Sequence, residues 1–188
     1  MILYLHGFRS SPQSFKARRL RETMAARNQS DQFLCPQLPA SPREAAALAL
    51  DLVAAVDASQ LVLIGSSLGG YYATALAERL GCRAVLLNPA VSPAQNLEKH
   101  IGTTTAWHSD DAFEFKAEYI TQLAALAVPQ ITRPERYFLL AATGDEVLDW
   151  RMMTAHYAGA RQHVIDGSDH GLSDFDQYID EVLQFCEA

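Results

Sequence analysis

Residues 61–70 read LVLIGSSLGG, an apolar run that meets two serines set among glycines. A short Leu/Ile/Val run closed by turn residues is the pattern of a buried strand. The next stretch, LGGYYATALAERL at 68–80, carries apolar residues at helical spacing, so the two together predict a strand that turns tightly into a helix. The same alternation recurs along most of the chain. It predicts strands at Ile2–Leu5, Phe33–Leu38, Gln60–Ile64, Arg83–Leu87, Tyr137–Ala142 and Gln162–Ile165. Helices are expected over Ser14–Arg27, Pro42–Val56, Leu68–Leu80 and Asp149–Ala158, with a closing helix from Ser173 onward. The helix at Pro42 has the firmest start, with Ser41 as cap, proline at its first position and Glu44 completing a capping box.

Strands apolar along nearly their whole length belong to parallel sheets covered on both faces. The fold class is therefore α/β, a compact three-layer arrangement of about six mostly parallel strands with helices on both sides. Residues 1–188 are expected to form one domain. The stretch from Pro89 to Glu135 is too long for a simple crossover. It reads as an insert at about 90–135 between the fourth and fifth strands, either a decorated crossover or a small cap over a cleft. Trp107, Phe113, Phe115 and Tyr119 lie in it.

Charge and cysteine usage exclude several functions. A formal net charge of −7 and an isoelectric point near 5.3 do not suit a protein that neutralises phosphates, so no nucleic-acid partner is expected. The basic cluster Lys16, Arg18, Arg19 and Arg21 is expected to be the solvated face of a helix. Cys35, Cys82 and Cys186 are odd in number, widely spaced and without a CxxC pair, which indicates neither a disulfide framework nor a zinc site. That usage, with no leader-like start and no apolar run long enough for a membrane span, points to a cytoplasmic protein. No cofactor and no metal is signalled, and nothing in the sequence bears on oligomeric state.

Gly65, Ser67 and Gly69 fit the pattern GxSxG, here in the strand-to-helix setting that gives it meaning. Ser67 is then the candidate nucleophile at the carboxyl end of a central strand. The amide of Leu68, first in the helix, would face a developing oxyanion. A serine hydroxyl needs a base and an acid behind it. Of six histidines, His163 falls in a predicted strand, His156 in a helix, and His100 and His108 in the insert. His170, in DGSDHGLSDF after the last strand, lies at the same sheet end as Ser67. Asp145 directly follows the fifth strand, in the chain position such an acid would take. Its competitors are Glu146, Asp149, read as the cap of the next helix, and Asp169. A second oxyanion donor is expected from HGF after the first strand: the amide of Phe8, with Gly7 allowing close approach and His6 orienting the loop. Met152 and Met153 read as packing residues.

Taken in order, YLHGF, GSSLGGYYA, NPA, RPER leading to TGDEVLD, and GSDH resemble the small YqiA/YcfP-like bacterial esterases of the α/β-hydrolase superfamily. The likeness runs nearly end to end. It implies a compact hydrolase sheet and esterase activity on short acyl chains, with Ser67 as nucleophile, Asp145 as acid and His170 as base. The chain departs from the family's Gly-Gly-Asp-His pattern at Ser168, and Leu172 stands where an aromatic is usual. The expected partner is a small-molecule ester. A thioester is the nearest variant, since the same residues would serve it. A binding or regulatory protein on the same fold is the reading from another class. A flavodoxin-like nucleotide binder would leave GxSxG unexplained.

Overall fold

In the computed structural model, which describes residues 1–105 and 112–187, six strands form one parallel sheet. They are β1 (Ile2–Leu5), β2 (Phe33–Leu34), β3 (Val62–Ser66), β4 (Arg83–Leu87), β7 (Tyr137–Ala142) and β8 (Arg161–Ile165), in the order β2-β1-β3-β4-β7-β8. Successive side chains of a strand point to opposite faces, so each apolar strand feeds two cores. Leu3, Leu5, Leu63, Leu86 and Leu139 pack with α2 (Pro42–Leu52), α3 (Leu68–Leu80) and α6 (Trp150–His156). Their neighbours Ile2, Tyr4, Ile64, Val85 and Phe138 pack with α1 (Phe15–Ala26) and α7 (Ile179–Glu187) on the other face. This is why the inner strands lack polar alternation, whereas β8, at the sheet edge, carries Arg161, Gln162 and His163 and is only partly buried.

The differences from expectation have local causes. β2 stops at Leu34 rather than Leu38, since Pro36 and Pro39 have no N–H for a ladder. β3 begins at Val62 and runs through Ser66, because Ala58–Gln60 form a 3-10 turn capped by Asp57. α2 ends at Leu52, where the chain tightens into short turns closed by the Val53 and Val56 amides. The segment after Ser173 is a 3-10 turn at Phe175–Gln177 followed by α7; both keep apolar side chains on the sheet, so the spacing alone looked like one helix.

The Pro89–Glu135 stretch holds a short helix α4 (Pro93–Leu97), an antiparallel pair β5 (Gly102–Thr105) and β6 (Ala112–Phe115), and a helix α5 (Ala117–Ala125). Phe115, Tyr119 and Leu123 are buried in the main core. Trp107 and His108 lie outside the described residues. No helix among the described residues is long and apolar enough to cross a membrane.

The strand order decides where a site can form. From β1 the chain first goes out to β2, then returns to place β3 on β1's other side. Connections that leave in opposite directions open a crevice at the carboxyl ends of the two strands, the usual ligand position in open α/β sheets. The loop after β1 and the turn after β3 flank that crevice.

Candidate active site

Ser67 sits between β3 and α3 with φ 55° and ψ −121°, a left-handed conformation that a non-glycine residue adopts only where the surroundings enforce it. The surroundings are close-packed backbone. A Cβ on Gly69 would run into the carbonyl oxygens of Leu5 and His6, and one on Gly65 into the Gly69 backbone. The glycines are therefore required by the tightness of the turn, and the turn lifts Ser67 out of the sheet. Its own amide donates to Leu87 O at 3.1 Å and its carbonyl accepts from Ala90 N–H at 3.0 Å, which ties the turn to the end of β4.

The other sequence-identified residues arrive at the same sheet end. His170 Nε2 lies 3.0 Å from Ser67 Oγ. His170 Nδ1 lies 2.8 Å from Asp145 Oδ2, and the Asp145 side chain is wholly shielded from solvent. The remaining oxygen, Asp145 Oδ1, accepts the amide N–H groups of Val147 and Leu148, each at 2.8 Å. An ionised carboxylate only accepts, so Nδ1 carries the proton and Nε2 is left to accept from the serine hydroxyl. The competing carboxylates are engaged elsewhere. Asp149 Oδ1 caps α6 through the Arg151 amide, Asp169 Oδ1 accepts the Ser173 amide, and Glu146 accepts the backbone N–H of His170. Three other histidines also have other company: His163 pairs with Glu181, His156 lies against Tyr157 and His100 against Phe8.

Leu68, the first residue of α3, has an amide for which the helix offers no acceptor. The loop after β1 comes close enough that a Cβ on Gly7 would stand 3.2 Å from Ser67 Cβ. Buried His6 organises that loop as expected. Its Nε2 accepts the Leu38 amide at 3.0 Å, which leaves Nδ1 to donate to Gly7 O at 3.0 Å. The Phe8 ring is fixed edge-on to Phe115 at 5.2 Å. Met153 is buried as a packing residue, whereas Met152 is exposed.

Ser67, Leu68, Phe8 and His170 line one cavity of about 450 Å³. Pro93, Leu97, Lys99 and His100 from the insert form part of its wall, as do Val147 and Leu148. Burial and the nearby charges of Lys99 and Arg9 hold His100 below its ordinary value.

Two residues at this site were not recognised from sequence. Asn88, fully buried at the end of β4 with φ 43°, donates through Nδ2 to Asp169 O at 3.0 Å and His170 O at 3.2 Å. Its Oδ1 accepts the Ala142 amide at 2.8 Å, so one side chain joins the ends of β4 and β7 to the His170 loop. Its signal was the NPA motif, which carried no chemistry of its own. Lys16, expected on a solvated helix face, is instead 8% exposed, lines the cavity and donates to Gly171 O. Burial pulls its ammonium down to about 8 against the raising effect of Asp169 and Asp145. Arg18 does face solvent, and Arg19 pairs with Asp176 and Glu22 on the surface. The three cysteines are free thiols pushed up by burial, to about 11 for Cys35 and Cys82 and about 12 for Cys186, and none is activated as a nucleophile.

The Ser168 departure from the family pattern has a structural counterpart. Ser168 adopts φ 57°, a conformation glycine takes without cost, and its hydroxyl is held by Asp174.

Solved structures of distant sequence share this architecture. The chain is similar to a protein of Agrobacterium vitis S4 assigned to the hydrolases, at 17% identity over 98% of this chain and 87% of that one, with a TM-score of 0.77. It is similar to mouse α/β hydrolase domain-containing protein 10, at 17% identity, 97% and 89% coverage and a TM-score of 0.72. Est1E from Butyrivibrio proteoclasticus, solved with ferulic acid bound, matches at 15% identity, 97% and 87% coverage and a TM-score of 0.69. At such identities the likeness is one of fold, and the fold is that of the α/β hydrolases. Residues 1–187 match the model of the Uncharacterised protein family UPF0227, the YqiA/YcfP family that the motifs resemble, and the chain belongs to that family.

Proposed function

We propose that this protein is a serine hydrolase that cleaves carboxylic esters with short acyl chains through an acyl-enzyme. The observation that carries the reading is the continuous chain of hydrogen bonds from Ser67 Oγ to His170 Nε2 at 3.0 Å and from His170 Nδ1 to Asp145 Oδ2 at 2.8 Å, opening into the cavity. Ser67 Oγ adds to the ester carbonyl carbon as its proton passes to His170 Nε2. Asp145 holds the imidazole and offsets its charge. The Leu68 and Phe8 amides are assigned to the oxyanion, with the N-terminus of α3 adding its partial positive charge.

Collapse of the tetrahedral intermediate breaks the ester C–O bond, and the leaving alkoxide takes the proton from Nε2. Water then adds to the acyl carbon with His170 as base, and the acid leaves as Ser67 regains its proton. A cavity of about 450 Å³, walled by Phe8, Leu97, Val147 and Leu148, has room for the acyl and alcohol parts of a small ester together. From the insert, the 93–100 segment is assigned as its cap, through Pro93, Leu97, Lys99 and His100. A thioester would pass through the same steps with a thiolate leaving.

The test is turnover of p-nitrophenyl butyrate by wild type and by Ser67→Ala. The wild type is expected to hydrolyse it, and the variant to fall to the uncatalysed rate or close to it. Equal rates in the two proteins would overturn the assignment.

A further inference from the structure

We propose that the cavity beside Ser67 contains an anion subsite centred on Lys16, and that the ester it takes carries a carboxylate or phosphate. The inference rests on the hydrolase reading above and specifies its substrate class. Lys16 is in the first turn of α1, 8% exposed, with Gly171 O as its hydrogen-bond acceptor. An ammonium has three donors, and a buried one with a single neutral acceptor is a costly arrangement. Asp145 and Asp169 are near enough to act on it electrostatically. Both have their own partners: His170 and two amides for Asp145, the Ser173 amide for Asp169.

Three further observations point the same way. α1 begins at the cavity, and its cap residue Ser14 makes no side-chain capping bond, so the amides of the first turn have no side chain covering them. The Ser14 hydroxyl oxygen is shielded from solvent and makes no hydrogen bond of normal geometry, while the buried Tyr4 hydroxyl lies near it and near Ser66. Lys16 and Lys99 bring positive charge to the cavity, and the described residues lining it include no carboxylate, in a chain whose net charge is −7. A cationic cavity in an acidic protein concentrates anions there. Lys16 also holds the backbone one residue past His170, so an anion that contacts it lies within reach of an ester on Ser67.

The test uses wild type, Lys16→Met, Lys16→Arg and Ser67→Ala. Two matched ester pairs are compared by kcat/KM. Methylumbelliferyl heptanoate against mono-methylumbelliferyl adipate places the charge in the acyl part; phenyl butyrate against meta-carboxyphenyl butyrate places it in the alcohol part. At least one anionic ester is expected to exceed its neutral match by roughly tenfold or more, the worth of a charged hydrogen bond. That ratio should fall towards one in Lys16→Met and survive in Lys16→Arg, whatever happens to the neutral rate.

Binding is read separately by calorimetry on Ser67→Ala, with glutarate and inorganic phosphate as probes; the tighter of the two identifies the anion. Ser67-dependent turnover of neutral esters with no anionic preference and no binding of either probe would overturn the inference and leave the hydrolase reading intact. If no ester turns over, the hydrolase reading fails, and calorimetry on Ser67→Ala with and without Lys16→Met still decides whether the subsite exists. Should Lys16→Met not fold, the wild-type preference and the calorimetry decide alone.

Discussion

Replacing Asn88 by alanine separates the placement of His170 from its chemistry. Asn88 touches neither Ser67 Oγ nor the imidazole, yet its amide spans the ends of β4 and β7 and the backbone of the His170 loop. Alanine removes both donations, to Asp169 O and His170 O, and leaves the Ala142 amide without its acceptor, all in a fully buried position. At about 1 kcal/mol net for each of three hydrogen bonds, the loss is about 3 kcal/mol. The left-handed backbone at φ 43° adds about 1 kcal/mol, because alanine lacks the short polar side chain that lets asparagine adopt it.

A loss near 4 kcal/mol is a large share of the roughly 5–15 kcal/mol that holds a domain together, so the variant should fold but denature at clearly lower urea. Freed from Asn88, the loop can carry His170 out of line with Ser67. A displacement of about 1 Å is expected to lower kcat about a hundredfold while KM changes little. Equilibrium urea denaturation and steady-state kinetics on a short ester measure both. A purely structural role would lower stability and leave kcat per folded molecule unchanged. That result would refute Asn88 as a positioning residue.

Three other perturbations have clear directions. Asp145→Asn must keep its carbonyl oxygen on the Val147 and Leu148 amides, which turns its NH₂ towards His170 Nδ1 and leaves Nε2 protonated. Hydrolysis should then fall by about 10⁴ with little change in fold, as measured by initial rates and circular dichroism. Gly69→Ala drives a Cβ into the Leu5 and His6 carbonyls, so little soluble protein is expected on expression. Lys16 titrates at about 8 when folded against 10.5 as its ordinary value, so between those pH values the unfolded chain binds more protons and stability must rise with pH. Below about 8 the fold bears the buried charge in full. Urea midpoints of wild type against Lys16→Met across that window should show the wild type gaining, and any anionic preference should fade over the same rise.

Legibility in the sequence followed whether a residue's surroundings were local. Ser67 and Asp145 sit just beyond the apolar strands β3 and β7 and His170 in the loop after the more polar β8, and the short run of glycine and polar residues after each strand marked the place where a side chain could emerge. Their common sheet end follows from the parallel strand order. Lys16 was misread because its neighbours Arg18 and Arg19 do face solvent, and a helix wheel does not reveal that the loop after β8 will cover one lysine. Asn88 gave no chemical signal, since its work is done on backbone groups more than fifty residues away, at Ala142 and at the 169–170 peptide. β5 and β6 were missed as strands because the pair is short and lies apart from the six-stranded sheet, with no apolar strand of the main sheet to frame it.

The proposed hydrolase stands on Ser67 as the group activated for acyl transfer. A fluorophosphonate forms a stable bond only with an oxygen made nucleophilic by its surroundings, so intact-mass spectrometry after brief exposure reads that activation without any choice of substrate. A single adduct is expected on the peptide carrying Ser67, absent in Ser67→Ala and strongly slowed in His170→Ala. No adduct on the folded wild type, or the same adduct on Ser67→Ala, would contradict it.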